Sequence, residues 1–428
     1  MIINREPKFP IEEWDSAKKY EEANIIGYEP MTAKELDTED KQDEALNDCN
    51  NYLEEKFDGT RALVYLMGEY NRVFSRRISK KTGFYVENAD SVPQIRDIKT
   101  YLDGTILDGE MYIPEQGFQV SSAVMNCKYD KAIERQEELG FQVFHAFDIL
   151  FYKGIDLRNK PLRIRKMYLE LVVAKINSEY IQSVRYFSCD ALVDTRPYEK
   201  EHGKPIDLFN KLEEDTPYQS FYTRMLEAGD TNTLPPRAFY EYIVATGGEG
   251  LIVKPKEGLY HHKRGWEYSK IKAFLTREMI LIGFTEPTKE YTGKAPKDWE
   301  YYENGVPVTK HYYFNQVGNM KLGVLLTEEE LSSIPKNKRG EIHKPSNFDL
   351  CVDDEGYYIM EVCECSGYTD EQREYFTEHI EELLGSVIEV KANGVMKDSG
   401  RMRHPRFLRL REDKAPEQCI WSDHVGDN

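Results

Sequence analysis

The chain has 428 residues, of which 40% are hydrophobic, 31% charged and 12% aromatic, proportions that exclude wholesale disorder and a fibrous chain. That length suits two or three domains, each with a core of its own. The formal net charge of −19 speaks against very tight or processive nucleic-acid binding, since Lys and Arg on phosphates supply most non-specific affinity, and any such binding must come from local basic clusters.

No run approaches the roughly 18 apolar residues that span a bilayer. The amino terminus, Met1-Ile2-Ile3-Asn4-Arg5, lacks the apolar segment of a secretory signal, so no membrane partner is expected. Seven cysteines without Cys-x-x-Cys spacing read as free thiols in a reducing cytoplasm. Cys363-Glu364-Cys365 is the nearest approach to a metal pair, but with no second pair it reads as buried thiols.

In chain order, residues 1–50 read as a polar lead-in packed on the domain that follows, with a short solvent-facing helix over Thr38 to Asn51. A typical domain needs on the order of 100 residues, so no separate domain is expected in the lead-in. Glu54-Glu55-Lys56 should end a strand at the Asp58-Gly59 turn, which turns Lys56 toward a pocket. Leu63 to Leu66, Arg72 to Arg76 and Ile106 to Ile113 are strand-like, and Pro93 to Leu102 reads as a helix opened by proline. Arg76, Arg77, Lys80 and Lys81 make one basic group. Lys131 to Leu139 is a charged helix, Phe141 to Phe151 a central strand ended by Gly154, and Pro161 to Ile176 a helix by its apolar spacing. An insertion is expected at about 189–237. Glu249 to Lys272 returns to strand character, split by Gly258 and Gly265. From Met279 several short strands suggest a small barrel, with one clear helix over Glu371 to Leu384.

Six stretches stand out, in this order: Lys56-Phe57-Asp58-Gly59-Thr60-Arg61; Asp108-Gly109-Glu110; Phe144-His145-Ala146-Phe147-Asp148; Glu249-Gly250-Leu251-Ile252-Val253-Lys254; Lys270-Ile271-Lys272; and the basic segment Arg401 to Lys414. Each is weak alone, but the set and its order resemble the covalent nucleotidyltransferases, most closely the ATP-dependent DNA ligases in their compact two-domain viral and phage form. The resemblance implies an α+β fold: an ATP-grasp-like nucleotidyltransferase (adenylation) domain over 51–275, then an all-β OB-fold domain over 276–428. It implies that Lys56 is the adenylated lysine, that Glu54 and the Glu55 carbonyl read the adenine amino group, that Arg61 contacts ribose or phosphate, and that Phe147 stacks on the base. Arg76, with Arg77 beside it, is similar to the residue that grips the 5′-phosphate of a nick. Glu110 and Glu249 resemble the ribose and metal carboxylates, Lys254 closes the fourth motif, and Lys270 and Lys272 resemble the phosphate-binding pair. Arg411 and Lys414 match the terminal motif that acts on departing pyrophosphate.

These assignments suit the chemistry. A lysine that attacks the α-phosphate of ATP must be deprotonated at that moment, which neighbouring cations and desolvation promote. Carboxylates must hold Mg2+ or Mn2+, and lysines must hold phosphate oxygens. No Walker-type Gly-x-x-x-x-Gly-Lys-Ser/Thr run exists, which argues against a P-loop enzyme. The expected partner is nicked duplex DNA, the expected state a monomer, and the expected location cytoplasmic, or the host cytoplasm for a viral protein. RNA ligases and capping guanylyltransferases share the lysine motif, and a non-catalytic OB-fold nucleic-acid-binding protein is the rival of a different class; the Arg411 to Lys414 motif favours DNA ligation. The acidity and the insertion are departures from the family pattern.

Overall fold

The computed structural model describes residues 27–426, apart from 69, 80–82, 115, 117, 128, 207–231, 273, 292–298, 337–349, 353–357 and 397–398. Lys80, Lys81 and most of the expected insertion lie outside the described residues. The chain divides into two units, Met1–Ala273 and Phe274–Asn428.

Period-two alternation builds the first unit. Its strands are β1 (Thr32–Glu35), β2 (Asn51–Glu55), β3 (Thr60–Leu66), β4 (Arg72–Ile78), β5 (Tyr85–Glu87), β6 (Thr105–Tyr112), β7 (Val143–Tyr152), β8 (Ile155–Asp156), β9 (Ile181–Ser183), β10 (Tyr186–Ser188), β11 (Val193–Asp194), β12 (Thr233–Leu234), β13 (Gly250–Pro255) and β14 (Arg264–Lys272). One sheet runs β5-β4-β3-β6-β7-β8, with β9 parallel to β7; a second runs β1-β14-β13-β2-β10. In β3, Ala62, Val64 and Leu66 enter a core beneath the helix Leu162–Ile176, while Leu63 and Tyr65 enter another that also takes Tyr260 and Tyr268 from around β14. In the second sheet Leu53, Leu251, Val253 and Ile271 face a third core closed by Phe239 and Tyr242 of the helix Pro236–Ala245. The intervening positions, Glu54, Ile252, Lys254, Lys270 and Lys272, therefore lie on the opposite face of that sheet.

Several local expectations need correction. The lead-in helix spans Glu39–Asn47 and buries Gln42 and Leu46 rather than lying wholly in solvent. The helix begun by Pro93 is a single turn, Pro93–Arg96. Gly265 sits inside β14 and does not split it. The described ends of the insertion are part of the core: Cys189, Val193, Tyr198 and Leu234 pack with Phe239, and β11 pairs with β12.

The second unit contains β15 (Leu275–Phe284), β16 (Tyr302–Glu303), β17 (Val306–Pro307), β18 (Met320–Leu326), β19 (Leu350–Val352), β20 (Tyr358–Cys365), β21 (Val387–Ala392) and β22 (Arg406–Leu410). The order β20-β18-β15-β21-β22 closes on itself, because Phe407 N–H donates to the Ser366 carbonyl just beyond β20, at 2.9 Å. This contact closes five strands into a barrel of the OB kind, with β19 also paired to β20. Met279, Leu322, Val324, Met360, Ile388 and Phe407 contribute to its core. Cys363 and Cys365 are buried in it, and burial pushes the Cys365 thiol up to about 12, as suits inert core thiols. The helix expected over Glu371 to Leu384 is two, Asp370–Glu378 and Ile380–Leu383, with His379 between them. No described helix is long and apolar enough to cross a membrane.

Candidate active site

Lys56 follows directly on β2, and its position depends on two glycines. A Cβ on Gly59 would lie 2.4 Å from the Met111 carbonyl oxygen, so only glycine lets the Asp58-Gly59 turn approach β6 this closely. Gly250 has φ +127°, and a Cβ there would lie 2.1 Å from the Ile271 carbonyl oxygen, a close approach and a backbone conformation that only glycine tolerates. These contacts set Glu249 beside Lys56. Lys56 Nζ donates to Glu249 Oε2, and Lys272 Nζ stands 2.8 Å from Glu249 Oε1. Lys270, two residues from Lys272 on the same face of β14, pairs with Glu35 of β1 at 3.4 Å. Burial lowers the Lys270 ammonium, and the Lys272 charge lowers it further.

A second group lies on the same face of the sheet. Glu54 is 1% exposed, and its carboxylate is shared between Lys254 Nζ at 2.6 Å and Lys166 Nζ at 2.5 Å. The Lys254 ammonium also lies 4.5 Å from the Phe147 ring centroid and 4.3 Å from that of Tyr268. Burial pushes Lys254 down to about 8, with Glu54 pulling it back. Arg61 stacks over Phe147 at 4.3 Å and grips buried Asp108 with both Nε and Nη2, at 2.6 and 2.7 Å. Such a bidentate pair fixes the guanidinium plane. Phe147 thus has two cations against its ring, at the edge of an apolar core.

Glu110 faces Arg61 across the β3–β6 ladder. Burial raises its carboxyl to about 7, although Lys56 and Arg61 pull the other way, and the Glu249 charge adds to the rise. Burial also acts to raise Glu249, but the Lys56 and Lys272 charges outweigh it and hold that carboxyl below its ordinary value. Hard carboxylate oxygens on Glu110 and Glu249, around one lysine, are a donor set that fits Mg2+ or Mn2+, and a divalent charge would favour the ionised form of Glu110.

Lys56, Glu249, Lys270 and Lys272 are therefore brought together, with Glu110 electrostatically coupled to Lys56 and Glu249, while Glu54, Arg61, Phe147 and Lys254 make an adjoining cluster. The Glu55 side chain turns away, to His202 Nε2 at 2.8 Å. Arg76 and Arg77 are exposed at the end of β4, where the pairing of Ala62 with Ser75 sets Arg76 next to Arg61 in the ladder. Arg411 and Lys414 belong to the second unit, where both donate to Glu278 of β15 and Arg411 also grips Asp413 at 2.8 and 2.9 Å. Sequence reasoning missed Lys166, Asp108, Glu35 and Glu278 as partners. Lys166 alone carried a signal: it falls four after Leu162 and three before Leu169, on the buried stripe of its helix, where a lysine needs a buried acid.

Two stacked sheets followed by an OB-type barrel make the α+β architecture of nucleotidyltransferase domains. The chain matches, over residues 30–196, the family model described as ATP dependent DNA ligase domain, the family that the motifs resemble. It is 24% identical over 400 residues to the DNA ligase of Saccharolobus solfataricus, an alignment covering 88% of this chain and 54% of that protein. It is 23% identical over 394 residues to the DNA ligase of Saccharolobus islandicus, covering 86% and 53%. The chain thus spans about half the length of these relatives. Among solved structures, Pmar-Lig_PreS3 superposes with a TM-score of 0.50 at 17% identity, over 94% of this chain and 72% of that one, and Pmar-Lig_Pre. superposes with a TM-score of 0.50 at 18%, over 93% and 71%. At that identity they speak to the fold alone.

Proposed function

We propose that the chain is an ATP-dependent DNA ligase that seals nicks in duplex DNA through a lysyl-AMP intermediate. The observation that carries this reading is the contact of Lys56 with Glu249, whose other carboxylate oxygen pairs with Lys272, adjoining the buried Glu54–Lys254 cluster. With its ammonium proton lost to water, Lys56 Nζ attacks the α-phosphorus of ATP; an N–P bond forms, the bond to pyrophosphate breaks with its electron pair leaving on pyrophosphate, and the excess N–H proton passes to water. AMP then passes to the 5′-phosphate of the nick, regenerating the amine, and the 3′-hydroxyl displaces AMP to close the phosphodiester. Lys270 and Lys272 supply charge to the phosphates, and Glu54, Lys254 and Phe147 form the nucleoside end of the pocket. Glu110 and Glu249 would hold the divalent ion, which neutralises charge developing on phosphate oxygens. Arg76 and Arg77 face the nick phosphate, and Arg411 and Lys414 serve the adenylation step.

The test is incubation with magnesium and α-labelled ATP, GTP or NAD after pyrophosphate has stripped any bound AMP, followed by a denaturing gel. A covalent label from ATP alone, absent in Lys56→Ala and transferred to a nicked duplex, is the expected result. A label that persists in Lys56→Ala would remove the assignment of the nucleophile, and no label from ATP would remove the enzymatic reading.

A further inference from the structure

On the face of β2 turned away from Lys56, Glu55, Glu201 and His202 each offer one ligand atom, and these atoms all lie within 4.8 Å of one another. The Glu55 and His202 side chains are each 7% exposed, while Glu201 opens to solvent. His202 Nε2 stands 2.8 Å from Glu55 Oε1, and its Nδ1 stands 2.7 Å from the Thr246 hydroxyl oxygen. That hydroxyl also has the Tyr242 carbonyl within reach, at 2.8 Å, so it can accept from Nδ1 and leave Nε2 for a ligand. Glu201 adds a second carboxylate, which accepts from the Tyr112 hydroxyl at 3.2 Å. A proton on Nε2 would answer one carboxylate; a divalent ion answers both.

We propose that Glu55, Glu201 and His202 form a site for a first-row transition ion, Zn2+ foremost, distinct from the Glu110–Glu249 pair. One imidazole nitrogen with two carboxylate oxygens suits Zn2+ rather than Mg2+ or Ca2+, which prefer oxygen alone. With Nε2 on the ion, Nδ1 would donate to the Thr246 oxygen, the outer contact that orients a metal-binding histidine. Tyr112 or a water completes the four ligands. Placement gives the ion a purpose: Glu55 immediately precedes Lys56, Tyr112 follows closely on Glu110, and Thr246 stands shortly before Glu249. The ion ties the ends of β2 and β6, which lead to Lys56 and carry Glu110, to the short helix Glu199–His202.

The test is metal binding by the whole protein. After chelation and dialysis, Zn2+ is titrated in competition with a chromogenic chelator, and Co2+ serves as a visible-absorption probe. We expect one Zn2+ per chain that survives Glu249→Gln, a gain of a few degrees in Tm with Zn2+, and at least about tenfold weaker binding in His202→Ala and in Glu201→Gln. Glu201 is exposed, so its variant tests the site even where His202→Ala fails to fold. Equal Zn2+ affinity in wild type and Glu201→Gln would overturn the proposal. So would an absence of Zn2+ binding by the wild type, leaving an imidazolium–carboxylate pair, or loss of binding in Glu249→Gln alone.

Discussion

At the scale of single residues, the proposed site is a set of charges, each held by an ion pair or by burial. Glu110 shows the cost. Its folded value of about 7 exceeds the ordinary 4.5 because burial disfavours the ionised form. Between these values the unfolded chain has lost the proton that the folded chain keeps. The stability this carboxyl contributes is therefore full below about pH 4.5 and is lost as pH rises through about 7. By this step alone, metal-free protein at pH 8 should be less stable than at pH 5 by up to about 3 kcal/mol. Glu110→Gln, which mimics the neutral carboxyl, should flatten that dependence, and excess Mg2+ should flatten it in the wild type. Urea melts with and without EDTA at the two pH values measure it, and an unchanged profile in Glu110→Gln would count against a buried, strained carboxyl. Glu54 is different, because Lys166 and Lys254 compensate its charge.

At the scale of elements, each strand of the second sheet serves two purposes at once. One face of β13 packs Leu251 and Val253 into the core while the other presents Lys254, and β14 does the same with Ile271 against Lys270 and Lys272. The hinge of this arrangement is Gly250, at the point where β13 meets β14. Gly250→Ala should cost about 1–3 kcal/mol from backbone strain alone, and by parting the strands beside Glu249 it should slow lysyl-AMP formation about tenfold or more. Gly283→Ala is the control, since its Cβ would meet only the Lys321 side chain at 3.7 Å, and should change stability by no more than about 0.5 kcal/mol. Thermal melts and single-turnover adduct formation test both, and equal behaviour of the two variants would sink the argument. Alternation made the strands legible in the sequence, and turn glycines placed Lys56. Long-range partners were not legible. Nothing local tells that Glu54 meets a lysine from the helix Leu162–Ile176, or that the charged ends of the insertion bury Tyr198 against Phe239 at 5.0 Å. Those contacts arise from sheet order, which local pattern does not encode.

At the scale of the whole molecule, a net charge of −19 must be reconciled with a proposed polyanionic substrate. Several cations of the barrel are occupied: Arg411 and Lys414 by Glu278, and Arg409 by Glu389 at 2.5 Å. Arg76 and Arg77, by contrast, stand exposed at the end of β4. A protein of this kind should hold a nick through few phosphate contacts, and its affinity should fall with salt less steeply than that of a strongly basic protein. Each phosphate neutralised contributes about 0.9 to the slope of log affinity against log salt. If Arg76 makes one such contact, Arg76→Ala should leave lysyl-AMP formation intact, weaken binding to a nicked duplex, and reduce the salt slope by about 1. Fluorescence anisotropy between about 50 and 200 mM salt reads the slope directly. An unchanged slope with normal affinity would remove Arg76 from the interface. A loss of adduct formation would instead move it into the nucleotide pocket beside Arg61, its neighbour along the β3–β4 ladder.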